Sequence, residues 1–301
     1  MGSAFEQVED VVKAACPRGA SLFKWGVRQT WADGGEDPLE KVWAYGSDEE
    51  TPHWHYVVSG MADPGKATAK AGASGVGYEL TFRLVRQAGE DEAPTWPVTA
   101  LQEMGWGIFK ANMRLAPGHY IRRRRVITGG NPQTKLQGYY LIEDRRLSRL
   151  ECDSGSIYFL QLVGITDEEL LQCEAGEPDE MEAELLARSP LGITDLSRTA
   201  PRTESVDLEK LQALQNALGR HCFSAVPDGV TRFSVSAGFT DSGFESNVEA
   251  SVPFELDARA DATLRRIFAL HAAAGHELAG IRTEFSKNSE AWSFTMEFDY
   301  E

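Results

Sequence analysis

The sequence contains no apolar run of about 18 residues or more, which excludes a conventional membrane-spanning helix. Its beginning, "MGSAFEQVEDVVKAACPRG", lacks a basic stretch leading into an apolar one, so no signal peptide is expected. The Met-Gly opening does not read as a myristoylation signal either, because Glu6 stands where that pattern wants Ser or Thr. Cysteine is scarce. Cys16, Cys152, Cys173 and Cys222 lie far apart and form no CxxC, which points to incidental thiols in a reduced, cytoplasmic protein. Catalytic signatures are missing as well: there is no HExxH, no GxSxG and no P-loop lysine pattern. "GASGVG" at 72–77 precedes a strand instead of joining one to a helix, so it is read as a turn and not as a phosphate loop.

Positive charge is also short. Thirty Lys and Arg face 46 Asp and Glu, for a net charge of −16. From Thr203 onward there are 8 basic and 16 acidic residues, and before it 22 and 30, so each part carries −8. Such a surface repels phosphate backbones and speeds encounter with basic proteins, so a protein partner is expected and nucleic acid is not.

The pattern of apolar residues predicts an α+β fold of two domains, each a mostly antiparallel sheet packed with helices. A helix is expected over 4–16, from Phe5, Val8, Val11, Val12 and Ala15. A short strand and turn follow in "SLFKWGVRQTWADGG", and then strands in "HWHYVVSG" and "VGYELTFRLVR" around the small-residue loop 63–75. In the second of these, Tyr78, Leu80, Phe82 and Leu84 alternate with Glu79, Thr81 and Arg83, the period of a half-buried strand. Pro97 opens a helix carrying Leu101, Met104, Ile108 and Phe109, and strands are expected at 119–127, 137–143 and 156–163. The polar segment 197–207 reads as a linker, dividing the chain into domains at 1–200 and 204–301. Beyond it, a helix capped by Ser205 or Asp207, strands at 230–240 and 244–254, a helix at 258–273 and strands at 276–286 and 291–300 give the order α-β-β-α-β-β.

Three clusters carry chemistry. His53 and His55 share one face of their strand, so a metal-dependent hydrolase built on them is one alternative; Asp63 or Glu79 could complete the ligand set. The other account packs Trp54, Tyr56 and Val58 inward and leaves the imidazoles to backbone or carboxylate partners at the sheet margin. Arg122 to Arg125 read as an edge strand protected by charge, or else as an acid-binding face. The run 167–184 holds nine acids in eighteen residues, interrupted by Gly176 and Pro178. Its Asp167, Glu168, Glu169, Glu174, Glu177, Asp179 and Glu180 are the candidate surface for a basic partner.

"HWHYVVSGMADP", "SGVGYELTFRL", "PTWP", "YFLQLVGITDEEL" and "ITDLSR" follow one another in the order seen in the suppressor of fused family, and the chain resembles that family over about residues 20–200. The resemblance implies protein binding without catalysis or cofactor. Eukaryotic members clamp an extended peptide, and bacterial ones look like immunity proteins. The two peptide-contacting positions of the eukaryotic pattern read Gly107 and His119 here, a departure from it. The ending "EAWSFTMEFDYE" resembles small bacterial immunity domains. The leading expectation is a bacterial immunity protein that occludes a basic toxin domain. A regulatory adaptor for an extended peptide is the other binding reading.

Overall fold

A computed structural model describes residues 4–18, 20–26, 37–62, 73–111, 113–129, 134–198, 205–240, 243–288 and 291–300. Most of the loop 63–75, the first residue of "GASGVG", the middle of the linker 197–207 and the candidate ligand Asp63 lie outside them. The chain divides into two compact units. The first comprises Met1–Thr166 with Glu182–Thr199, and the second Asp167–Met181 with Ala200–Glu301.

In the first unit, helix α1 (Ala4–Ala15) precedes strands β1 (Leu22–Gly26), β2 (Lys41–Ser47), β3 (His53–Ser59) and β4 (Ala73–Val85), then helix α2 (Trp96–Lys110). Strands β5 (Tyr120–Arg122), β6 (Leu136–Glu143), β7 (Leu150–Cys152) and β8 (Gly155–Thr166) follow. They form one sheet of eight strands in the order β1-β2-β3-β4-β8-β6-β5, with β7 pairing on β8. All pairs are antiparallel except β4 with β8, where Leu80 lies opposite Leu160.

Both faces of this sheet are covered. On one, Val98, Leu101, Met104 and Ile108 of α2 pack on Trp54, Tyr56, Val58, Leu80, Phe82, Leu160 and Leu162. On the other, Ala4, Val8 and Val12 of α1 pack on Trp43, Tyr45, Val57 and Phe159. Every residue of β3 is therefore buried, and so are Glu79, Thr81 and Arg83 of β4. The half-buried strand expected from the alternation of "GYELTFRL" is buried on both sides, and the imidazoles lie in the interior, not at a margin. Strands β2 and β7 are additional to those predicted. Strand β5 is only three residues long, so the four arginines do not share a strand.

The second unit begins with α3 (Asp167–Glu174); α4 (Pro178–Arg188) follows, with its first turn in this unit. Then come α5 (Leu208–Ala225), β9 (Arg232–Thr240), β10 (Gly243–Ala250), α6 (Ala258–Ala273), β11 (Leu278–Asn288) and β12 (Ala291–Tyr300), in the expected order. The strands make an antiparallel sheet ordered β10-β9-β11-β12. Asp207 and Asp257 cap α5 and α6 by accepting backbone N–H bonds of their first turns. Leu211, Leu214, Leu218, Leu264 and Ile267 of these helices close over Phe233, Val235, Ile281 and Phe285; the Phe233 and Phe285 rings stack at 4.5 Å.

Candidate functional site

The histidine pair belongs to a polar cluster buried on the α1 side of the larger sheet. Alternation puts His53 and His55 of β3, Thr81 and Arg83 of β4 and Gln161 of β8 on one face, and the turn after β6 delivers Asp144. Arg83, 2% exposed, is the hub. Its Nη2 donates to Asp144 Oδ1 at 2.8 Å, its Nη1 to His53 Nε2 at 2.9 Å and its Nε to Gln161 Oε1 at 3.3 Å. Asp144 Oδ2 accepts from Thr81 Oγ1 at 2.9 Å and from His55 Nε2 at 3.0 Å, while Oδ1 also accepts the Arg146 and Leu147 amides. Gln161 Nε2 donates to the carbonyls of Leu191 and Gly192. Gly192 has φ +60°, and a Cβ there would approach Gln161 Nε2 to 3.0 Å, so glycine is required for this contact.

These partners fix both tautomers. His53 accepts from Arg83 at Nε2, so it carries its proton on Nδ1 and donates to the Thr51 carbonyl at 2.8 Å. His55 donates from Nε2 to Asp144 and accepts at Nδ1 from Tyr45 Oη at 2.7 Å. All four ring nitrogens are thus engaged by protein groups, and the cation between His53 and Asp144 is the Arg83 guanidinium. Neither imidazole has a lone pair left for a metal, and both are fully buried, which removes the geometric basis of the hydrolase alternative. Burial, reinforced by Arg83, lowers the His55 pKa to about 4 against the pull of Asp144, so the ring is neutral at pH 7. Burial lowers that of His53 too, opposed by its bond to Thr51. Burial raises the carboxyl pKa of Asp144, but His55, Arg83 and the Arg146 amide outweigh it and hold the group ionised, well below the usual carboxylate range.

Glu79 on the same strand serves another purpose. Its carboxylate accepts the amides of Gly60, Met61 and Ala62 at 2.9, 3.2 and 2.9 Å, closing the turn that leaves β3. The cysteines are free, and burial raises the Cys173 and Cys222 thiols to about 12, so both stay protonated and poorly nucleophilic.

The acidic run is split by its own fold. Glu169 is buried on α3 beside Leu170 and Leu171. Glu174 is paired with Arg265 at 2.8 Å and Glu177 with Arg266 at 2.9 Å, both arginines on α6. Asp167 and Glu168 are half-buried in the first turn of α3. Asp179 and Glu180 are exposed in the first turn of α4. At the far side of the larger sheet, β5 is an edge strand. Tyr120 is 37% exposed there, next to exposed His119. No described helix is long and apolar enough to cross a membrane.

The sequence did not point to Arg83, Asp144 or Gln161 as partners of the histidines. The available signal was the polar alternation Glu79, Thr81, Arg83 in a strand flanked by other apolar strands, which requires internal pairing if both faces are covered.

The chain is similar to known proteins. Suppressor of fused homologs of Homo sapiens and Mus musculus are each 32% identical over 180 residues, covering 55% of this chain and 37% of theirs. The chain thus spans little more than a third of the curated relatives it matches. A chain in the Sufu-Fu complex crystal structure is similar at 25% identity and a TM-score of 0.59, covering 65% of this chain and 91% of that one. Drosophila Suppressor of Fused shares the fold, with a TM-score of 0.58 at 23% identity over 76% of this chain and 57% of that one. Residues 35–199 match the family described as suppressor of fused protein (SUFU), and the chain belongs to that family.

Proposed function

We propose that the chain is a non-catalytic protein-binding module, acting in the cytoplasm as a bacterial immunity protein that occludes a basic toxin domain. Family membership over residues 35–199 is the observation that carries binding as the function. The net charge of −16 supports a basic partner. The proposed contact surface is the acidic run of Asp167, Glu168, Glu174, Glu177, Asp179 and Glu180; Glu169 is buried and drops out of it. Asp179 and Glu180 meet the partner directly, while Glu174 and Glu177, held by Arg265 and Arg266, shape the support behind them.

The test is capture of partners from the source cell at low and high salt, followed by an activity assay on the captured protein. One basic protein, released by salt and inhibited by this chain, supports the reading. D179N/E180Q should then slow association and flatten its salt dependence. Capture of no specific protein at either salt would overturn it.

Strand β5, the last strand of the sheet among the described residues, favours a second reading, an adaptor that takes an extended peptide by strand addition. The similar chain in the Sufu-Fu complex supports it. Protection of the Tyr120–Arg122 amides from hydrogen exchange on binding would distinguish this mode from the first.

A further inference from the structure

Strand β5 ends at Arg122, so Arg123, Arg124 and Arg125 lie on chain that has left the sheet. The backbone is tied back to β6 at Arg123, whose amide donates to Gln137 O at 2.8 Å, and at Ile127, whose amide donates to Leu136 O at 3.0 Å. Between these anchors it bends away, and a groove of about 540 Å³ opens between the bend and α2. Trp96, Ala100 and Glu103 line the helix side, and the run from Arg122 to Gly129 lines the other.

The arginines are not equivalent. Arg123 pairs with Glu103. Arg124 and Arg125 are exposed and have no acidic partner among the described residues. Edge protection does not account for them, since that role needs charges on the edge strand itself and both lie beyond its end. Both residues line the groove, so it concentrates positive charge that an incoming anion neutralises. Half-buried Trp96 and Val126 add an apolar lining that a bare inorganic anion would leave unused. A nucleic-acid backbone would be repelled by a chain whose net charge is −16, and two unpaired arginines make too small a basic patch to offset that.

We propose that this groove binds an acidic peptide segment of a partner protein. Arg124 and Arg125 take carboxylates, and an apolar side chain of the peptide lies against Trp96 and Val126. This site selects the opposite charge from the acidic run, so it stands or falls independently of the basic-partner reading.

The test is fluorescence polarisation of a labelled Glu-Glu-Leu-Phe-Glu-Glu peptide with the full chain. Saturable binding is expected, weakened roughly tenfold or more by R124E/R125E, with the all-Gln peptide failing to bind. Both side chains are exposed, so the variants should keep the wild-type circular dichroism. Should the charge reversal unfold the protein, R124Q/R125Q gives the same comparison. Three results would each overturn the proposal. They are no saturation up to about 1 mM peptide, undiminished binding by the variants, or displacement of the peptide by equimolar inorganic phosphate.

Discussion

Replacing Arg83 by methionine should destabilise the first unit by about 3–5 kcal/mol, the loss found when one partner of a buried ion pair is removed. Methionine keeps much of the apolar stem, so the loss is polar. Asp144 keeps His55, Thr81 and two amides but loses its counter-charge, and the acceptors of His53 and Gln161 lose their donor. Such a loss is a large share of the roughly 5–15 kcal/mol that holds a typical domain together. The single variant D144N strands the guanidinium instead and should cost a similar amount. In R83M/D144N both charges are gone, so its loss should fall short of the sum of the singles by about 2 kcal/mol or more. Urea unfolding at pH 7.5 followed by tryptophan fluorescence reads the right unit, because six of the seven tryptophans lie within Met1–Thr166. A cost below about 1 kcal/mol for R83M, or strict additivity in the double variant, would refute the cluster as a coupled unit.

Four further outcomes are expected. The unfolded chain protonates His55 near its ordinary pKa and the folded chain only near 4, so stability is full above about pH 6.5 and falls by roughly 3 kcal/mol towards pH 4. Asp144, held low, extends the loss to still lower pH; urea midpoints that stay flat between pH 7 and 4.5 would contradict the His55 shift. E79Q should cost about 1.5–3 kcal/mol by removing the charge from three amide bonds, and an unchanged thermal midpoint would show that the turn after β3 holds itself. A fragment 204–301 lacks α3 and both ion pairs to α6, so it should melt below a fragment 167–301 joined across the first-unit residues by a short flexible linker; equal midpoints would make α3 dispensable. Dialysis against EDTA should leave the thermal midpoint of the whole chain in place, and a drop of several degrees would reveal a metal.

Much of this architecture was legible because apolar periodicity reports which faces of an element differ. The α-β-β-α-β-β order, the α1 stripe of Val8 and Val12 and the proline-opened α2 all follow from it. The same signal says nothing about what covers the more polar face. "HWHYVVSG" and "GYELTFRL" therefore read as amphipathic strands although α1 closes over their polar side. The partners of His55 lie on β2 and beyond β6, at separations of 10 and 89 residues, and no local pattern links them. Four arginines in a row suited an edge strand, but β6 pairs with Tyr120–Arg122 and the chain then bends away. In the acidic run, the sequence supplied the charges but not the arginines of α6 that neutralise two of them.

The parallel contact of β4 with β8 bears on how the chain is made. When β3 and β4 leave the ribosome, Arg83 has no counter-ion, because Asp144 is 61 residues further on. At synthesis rates of about 5–20 residues per second that gap lasts roughly 3–12 s. During it the first four strands cannot close around a bare guanidinium and two imidazoles. The N-terminal sheet is therefore expected to stay open until β6 and β8 arrive, when a long-range, slow-forming strand alignment and the neutralisation of Arg83 can happen together. Nascent chains stalled before residue 144 should therefore be the species that chaperones and proteases find first.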